Sequence, residues 1–146
     1  MSKDDRPRPG QPIKPRKPAK VQFTATMLQL EAFVVLFAGF ALYGLRNSGY
    51  EKGPLEFEST AALWAVVGVL FVVLLVVARM MGTPVGYLVG SAVQVPVLAM
   101  GFLLPMMFVV GGVFVVMWVI SIRLGGRIDR ERAAYDAAHP ETAPNL

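Results

Sequence analysis

Four long apolar segments, separated by short polar ones, dominate this chain. A helix that crosses a bilayer needs about 20 mostly apolar residues, because each residue advances about 1.5 Å across about 30 Å of hydrocarbon. Segments 23–45, 61–78, 85–104 and 106–122 meet this requirement, and Glu31 is the one Asp, Glu, Lys, Arg or His within them. We therefore predict an all-α fold, a transmembrane bundle of four helices.

A single residue, Pro105, separates the third and fourth segments. Proline has no backbone N–H and disfavours helical geometry in the residue before it. A short break between two apolar runs that are each long enough to cross a bilayer indicates an antiparallel hairpin. One continuous, bent helix is the alternative.

The two flanking regions differ from the apolar domain, which we expect to span residues 23–124. Residues 1–22 are rich in proline and basic residues and almost free of apolar ones, which predicts a disordered cytoplasmic tail. Their PxxP spacing leaves docking of a partner domain as an alternative to a solvated tail. In the region 125–146, Gly125-Gly126 should loosen the last helix, and 128–138 should form a separate short cytoplasmic helix, solvated or at the headgroups, with partner docking as the alternative.

The distribution of positive charge predicts the orientation in the membrane. Outside the apolar segments, Lys and Arg number seven before the first, one at Arg79 and four after the last, against two in the loop between the first and second. The positive-inside rule then places both termini in the cytoplasm and indicates a multi-pass protein of the plasma membrane. Basic tails beside apolar spans favour anionic headgroups over nucleic acid. Trp64 and Trp118 lie near opposite surfaces of the expected bilayer, where Trp commonly acts as an anchor.

Glu31 is the most informative residue, because an ionisable group inside a span is costly and normally faces the bundle interior. Counting eleven residues inward from the polar boundary of each helix reaches Glu31, Gly68, Gln94 and Gly112. All four then share a level about 16 Å from one surface. We predict that Glu31 and Gln94 form an intramembrane polar pair, with glycines on the other two helices making room for close approach or for water.

The third segment also carries a stripe of small residues at helical spacing. Close packing between helices is the common role of such a stripe, and a substrate-lining surface is the alternative. We expect packing roles for five glycines in total, namely Gly68, Gly86, Gly90, Gly101 and Gly112.

Several of these residues together resemble a known family. The run from Leu28 to Val35 with Glu31 at its centre, Gly86-Tyr87 through Gln94-Val95, Pro105 to Val109, Trp118, Arg123 to Gly125 and Arg127 to Asp129 are similar to the DUF4233 family of actinobacterial membrane proteins. The similarity covers roughly Thr24 to Arg132. It implies a membrane protein without an established activity, and genes that often lie beside the gene for folylpolyglutamate synthase.

The chain offers little catalytic chemistry. It has no cysteine, and it lacks GxSxG, HExxH, a glycine-rich phosphate loop and paired carboxylates. We therefore expect no enzyme activity, no catalytic residue, no metal and no cofactor. The leading hypothesis is a structural or accessory membrane component that assembles with itself or with a larger membrane complex, with the lipid bilayer as its solvent. The alternative is a small proton-coupled transporter that uses Glu31, as the small multidrug resistance transporters use a glutamate in their first helix.

Overall fold

The computed structural model describes residues 17–48, 57 and 59–140. Most of the expected N-terminal tail, most of the loop after the first helix and the last six residues lie outside this part of the chain. Within it, helices are the only regular secondary structure. This confirms the all-α prediction.

Four helices form the fold: α1 (Ala19–Leu45), α2 (Thr60–Arg79), α3 (Pro84–Ala99) and α4 (Met106–Ala138). Each is long and apolar enough to cross a membrane, α3 together with the 3₁₀ turn that follows it. The predicted spans are therefore confirmed. The predicted start of the first span was too late, because residues 19–22, assigned to the tail, already belong to α1.

The helices are arranged as a ring in which chain neighbours are also neighbours in space. Helix α1 packs against α2 and α4, and α3 packs against the same two helices from the other side. Helices α1 and α3 thus face each other across the bundle. We call the end where α1 and α3 begin and α2 ends the Lys20 end, and the opposite one the Arg46 end.

Local side-chain caps set the starts of two of the four helices. The Ser59 hydroxyl accepts a hydrogen bond from the N–H of Ala62 at 3.1 Å and caps α2, and Thr83 caps α3 in the same way through Gly86 N–H. The turn between α2 and α3 passes through Gly82 at φ +103°, a backbone region that favours glycine.

The hairpin predicted at Pro105 is present. Helix α3 ends at Ala99, five residues before the expected boundary, and the 3₁₀ turn Met100–Phe102 then leads the chain towards Pro105 at the start of α4. The tighter turn is expected here, because the residue before a proline disfavours the α conformation and the chain must reverse within a few residues.

The prediction of a separate short helix over 128–138 was wrong, because α4 continues without a break through Gly125 and Gly126 to Ala138. A Cβ added at Gly125 would lie 2.5 Å from the Cα of Lys20. The glycine therefore permits close contact between α4 and the start of α1. With 33 residues α4 is about 50 Å long, so it extends beyond about 30 Å of hydrocarbon.

The outer surface is as apolar as the core. Leu28, Val35, Val67 and Leu74 are fully buried between the helices. Large apolar side chains on every helix also point outward, among them Phe37, Val69, Leu88 and Val109, each more than half exposed. A protein in water rarely leaves so continuous an apolar surface uncovered. Lipid is the solvent that this surface fits, and the chain is a multi-pass membrane protein.

Candidate functional site

Glu31 lies on the face of α1 that points into the bundle. Its exposed fraction is 0%, and Leu28, Ala32 and Val35 on the same helix face are equally enclosed. These three residues lie at positions i−3, i+1 and i+4 relative to Glu31, so apolar side chains surround its carboxyl group along the helix. A carboxyl group in such a place needs a hydrogen-bonding partner.

Gln94 on α3 supplies that partner. Its side-chain amide Nε2 donates a hydrogen bond to Glu31 Oε2 at 2.8 Å, and the residue is itself buried. The structure thus brings together the two residues whose common depth predicted an interaction. Because α1 and α3 face each other across the bundle, the bond links two helices that are not neighbours in the ring. We refer to Glu31 and Gln94 as the polar pair.

One oxygen on each member of the polar pair has no partner. Glu31 Oε1 and Gln94 Oε1 are buried and form no hydrogen bond with any residue that the structure describes. A carboxylate is only an acceptor, whereas a carboxylic acid carries one O–H donor beside its acceptor oxygen. A proton on Glu31 would turn one acceptor of the pair into a donor.

Two of the five glycines predicted to pack lie against aromatic rings of α4. A Cβ at Gly90 would lie 2.6 Å from Cη2 of Trp118, and one at Gly101 would collide with the ring of Phe108. Gly90 lets α3 approach α4 closely, and Gly101, in the 3₁₀ turn Met100–Phe102, lets that turn approach the start of α4. Gly86 lies against the carbonyl of Met80 in the preceding turn rather than against another helix.

The structure does not place Gly68 or Gly112 at a helix contact. An added Cβ would find no heavy atom within 4 Å at either position. Counting residues along a helix gives the depth of a side chain, but each residue also rotates by about 100°, so depth does not decide direction. Gly111, next to Gly112, packs against α3 instead, since a Cβ added there would lie 3.1 Å from Cδ1 of Leu98.

Trp118 has a different position from the interfacial one expected for it. The side chain is buried between α3 and α4, and its indole Nε1 donates a hydrogen bond to the Ser91 hydroxyl at 3.1 Å. The Ser91 hydroxyl in turn donates to the carbonyl of Tyr87 at 2.9 Å. Trp118 therefore connects α3 and α4 one helical turn from Gln94.

A second polar contact, which sequence reasoning did not identify, lies at the Lys20 end. Asp129 near the end of α4 accepts hydrogen bonds from two backbone N–H groups at the start of α1, from Ala19 to Oδ1 at 2.6 Å and from Lys20 to Oδ2 at 3.0 Å. Pro18 precedes α1 and offers no side-chain cap. Asp129 supplies the cap from another helix, and its negative charge complements the positive end of the α1 dipole.

The same contact extends to α3. The Lys20 ammonium group lies 4.3 Å from the centre of the Tyr87 ring, within the range of a cation–π interaction. Together with the close approach at Gly125, this joins the ends of α1, α3 and α4. We call Ala19, Lys20, Tyr87, Gly125 and Asp129 the Lys20 clamp.

The described residues include no group of three or more His, Cys, Asp and Glu side chains that could hold a metal ion. What the arrangement offers is a buried pair able to accept a proton and a charged contact at one end of the bundle. Neither contains an activated nucleophile.

Comparison with known protein families gives a match. No curated protein and no solved structure matches the chain. The model of a family described as 'protein of unknown function' matches residues 22–134. The matched range includes both residues of the polar pair and three residues of the clamp, Tyr87, Gly125 and Asp129. The chain therefore belongs to the DUF4233 family, whose members are proteins of unknown function.

Proposed function

We propose that the protein is a non-enzymatic structural or accessory component of the plasma membrane. In this function the polar pair holds α1 and α3 together, and the fixed bundle presents its apolar outer surface to copies of itself or to a larger membrane complex. The observation that carries the proposal is the hydrogen bond of 2.8 Å between Gln94 and a fully enclosed Glu31.

The physical reason for a structural role is the low polarity of the surroundings. Water is absent from the hydrocarbon core, so each member of the pair would otherwise be left without a partner. Hydrogen bonds between membrane helices contribute about 0.6 kcal/mol on average and up to about 1.7 kcal/mol. One such bond also selects one rotation of α1 about its axis, because only one face of the helix carries the carboxyl group.

We place the Lys20 end of the bundle in the cytoplasm, as the excess of Lys and Arg there favours. The chain has no cysteine, so single cysteines can report exposure to a reagent that does not cross membranes. In intact cells, Ser48→Cys and Ser59→Cys at the Arg46 end should react and His139→Cys should not. Reaction at position 139 together with protection at 48 and 59 would reverse the orientation.

The second candidate function is proton-coupled transport through Glu31. It is favoured by the two unpartnered oxygens, which are both acceptors, because the one on Glu31 can bind a proton. In this function, Glu31 would bind and release a proton in each transport cycle.

Two substitutions of Glu31 separate the candidates. Glu31→Gln keeps a donor, an acceptor and nearly the same volume, but an amide cannot release a proton. Glu31→Ala removes the partner of Gln94. Both variants are reconstituted, and assembly is measured on native gels while proton flux is measured with a pH-sensitive dye inside the vesicles.

The structural function predicts normal assembly of Glu31→Gln, weaker assembly of Glu31→Ala and no difference in proton flux. A pH-driven flux in the parent that disappears in well-assembled Glu31→Gln would contradict it and support transport. Normal assembly and unchanged flux in Glu31→Ala would contradict both functions.

A further inference from the structure

A groove of about 280 Å³ lies between α3 and α4 and opens to the outside of the bundle. Its α4 side is formed by Val115, Val119 and Ile122, which recur at helical spacing on one face. This volume is just below the range of about 300–1,000 Å³ of typical small-molecule sites. It suits a single hydrocarbon chain better than a large cofactor.

The donor groups of Trp118, Ser91 and Gln94 in the wall of the groove all form hydrogen bonds within the protein. The Trp118 indole N–H donates to Ser91, the Ser91 hydroxyl donates to the backbone of Tyr87, and the Gln94 amide donates to Glu31. The Gln94 oxygen without a partner is enclosed. An occupant deep in the groove thus meets mainly apolar surface, which favours a hydrocarbon chain over a polar solute.

The end of the groove has the opposite character. Arg123 lines it there and is the first charged residue of α4 after the apolar run. It is exposed, and no described residue forms a hydrogen bond or an ion pair with its guanidinium group. A guanidinium group at the level of the headgroups binds phosphate with favourable geometry.

We propose that this groove binds one anionic phospholipid, with an acyl chain along Val115 and Val119 and the headgroup phosphate at Arg123. The charge at the end of the groove selects an anionic lipid over a zwitterionic one. The apolar walls exclude a free inorganic phosphate, which has no chain to bury. The site borders the polar pair through Gln94, which lines the groove, whereas Glu31 does not line it.

Fluorescence of Trp118 can report the occupant, because the ring lines the groove. The chain has two Trp residues, so Trp64→Phe leaves Trp118 as the sole emitter. The protein is reconstituted in phosphatidylcholine vesicles with a minor fraction of phosphatidylglycerol, and bromine on the acyl chains of either lipid, at equal mole fraction, serves as a short-range quencher.

We expect brominated phosphatidylglycerol to occupy the groove about fivefold more readily than brominated phosphatidylcholine, the factor that one basic residue contributes at an anionic surface. Arg123→Gln should abolish this preference, and Arg123→Lys should keep most of it. Arg130→Gln is the matched control: it removes the same charge from the same helix outside the groove, and the preference should persist.

A second pair of variants tests the groove itself. Val119→Phe fills it and should lower quenching by both lipids, whereas Val116→Phe, at an exposed position of α4 that does not line the groove, should not. Equal quenching by the two lipids in the parent, or a preference that survives Arg123→Gln, would overturn the proposal. Absence of quenching by either lipid would also overturn it, because the groove would then be covered by protein such as a second copy of the chain.

Discussion

The polar pair and the Lys20 clamp hold α1 in place by hydrogen bonds of different kinds. In the pair, one side chain bonds to another in the middle of the bundle, and both are buried. In the clamp, a carboxylate on α4 bonds to two backbone N–H groups at the start of α1, in a partly buried position. The pair lies where no water can replace a lost partner, whereas the clamp lies where water competes for the same groups.

Because their surroundings differ in access to water, the polar pair and the Lys20 clamp have different structural roles. Inside hydrocarbon a single polar group is costly wherever it points, so the pair fixes which face of α1 is turned inward. At the Lys20 end an uncapped helix start tolerates solvation, so the clamp instead fixes how the C-terminal part of α4 lies against the start of α1. We expect the clamp to carry the larger share of the bundle's stability.

The largest effect is expected for Gly125→Ala. The new Cβ would lie 2.5 Å from Lys20 Cα and 2.9 Å from Lys20 N, so backbone must move and α4 must separate from α1. We expect a loss of about 1–3 kcal/mol in the free energy of unfolding in micelles, the usual cost of overpacking.

The matched control is Gly126→Ala. Its Cβ would approach no atom closer than 3.6 Å, so it should be neutral or stabilise the helix by up to about 1 kcal/mol. If the two variants lose the same stability, the close contact between α1 and α4 is not a determinant of the bundle.

A smaller effect is expected for Asp129→Ala. It removes the acceptor of two N–H groups and a charge favourable to the α1 dipole, at a cost of about 1–2 kcal/mol. Hydrogen exchange should accelerate at the amides of Ala19 and Lys20 while exchange in the middle of α1 stays slow. Asp136→Ala removes the same charge from α4, where the carboxylate accepts no hydrogen bond from a described residue, and it should leave both amides protected.

The smallest effect is expected at the cation–π contact between Lys20 and Tyr87. Lys20→Met keeps the aliphatic chain but loses the charge and should cost about 0.5–1 kcal/mol. Tyr87→Phe keeps the ring face and should change the free energy of unfolding little, whereas Tyr87→Leu should match Lys20→Met. A loss in Tyr87→Phe as large as in Tyr87→Leu would show that the ring face is not what Lys20 contacts.

The comparison also explains which features could be predicted from the sequence. The four spans could, because apolar runs of the required length are visible, and so could the contact between Glu31 and Gln94, because polar residues are rare in those runs. The packing glycines were only partly predictable. Gly90 and Gly101 lie in a stripe with helical period. Gly68 and Gly112 share only an expected depth in the membrane with Glu31, and a Cβ added at either position would contact no other residue.

The Lys20 clamp was not predictable by the same reasoning, because the partners of Asp129 are backbone N–H groups that every residue except proline carries. One signal was available: α1 starts after Pro18 without Ser, Thr, Asp or Asn at the capping position, which calls for an acceptor from elsewhere. Glycine weakens isolated helices, which predicts a loosened helix at Gly125-Gly126, but close packing of Gly125 against Lys20 outweighs that propensity.

The central claim is that Glu31 and Gln94 stabilise the bundle as one unit, and a double-mutant cycle tests it most directly. The free energy of unfolding in micelles is measured for the parent, Glu31→Ala, Gln94→Ala and the double variant. We predict a coupling of about 0.6–1.7 kcal/mol, the range of hydrogen bonds between membrane helices, so that the second substitution costs less once the first is present. Strictly additive losses would contradict the account, since they would mean that the two residues act independently.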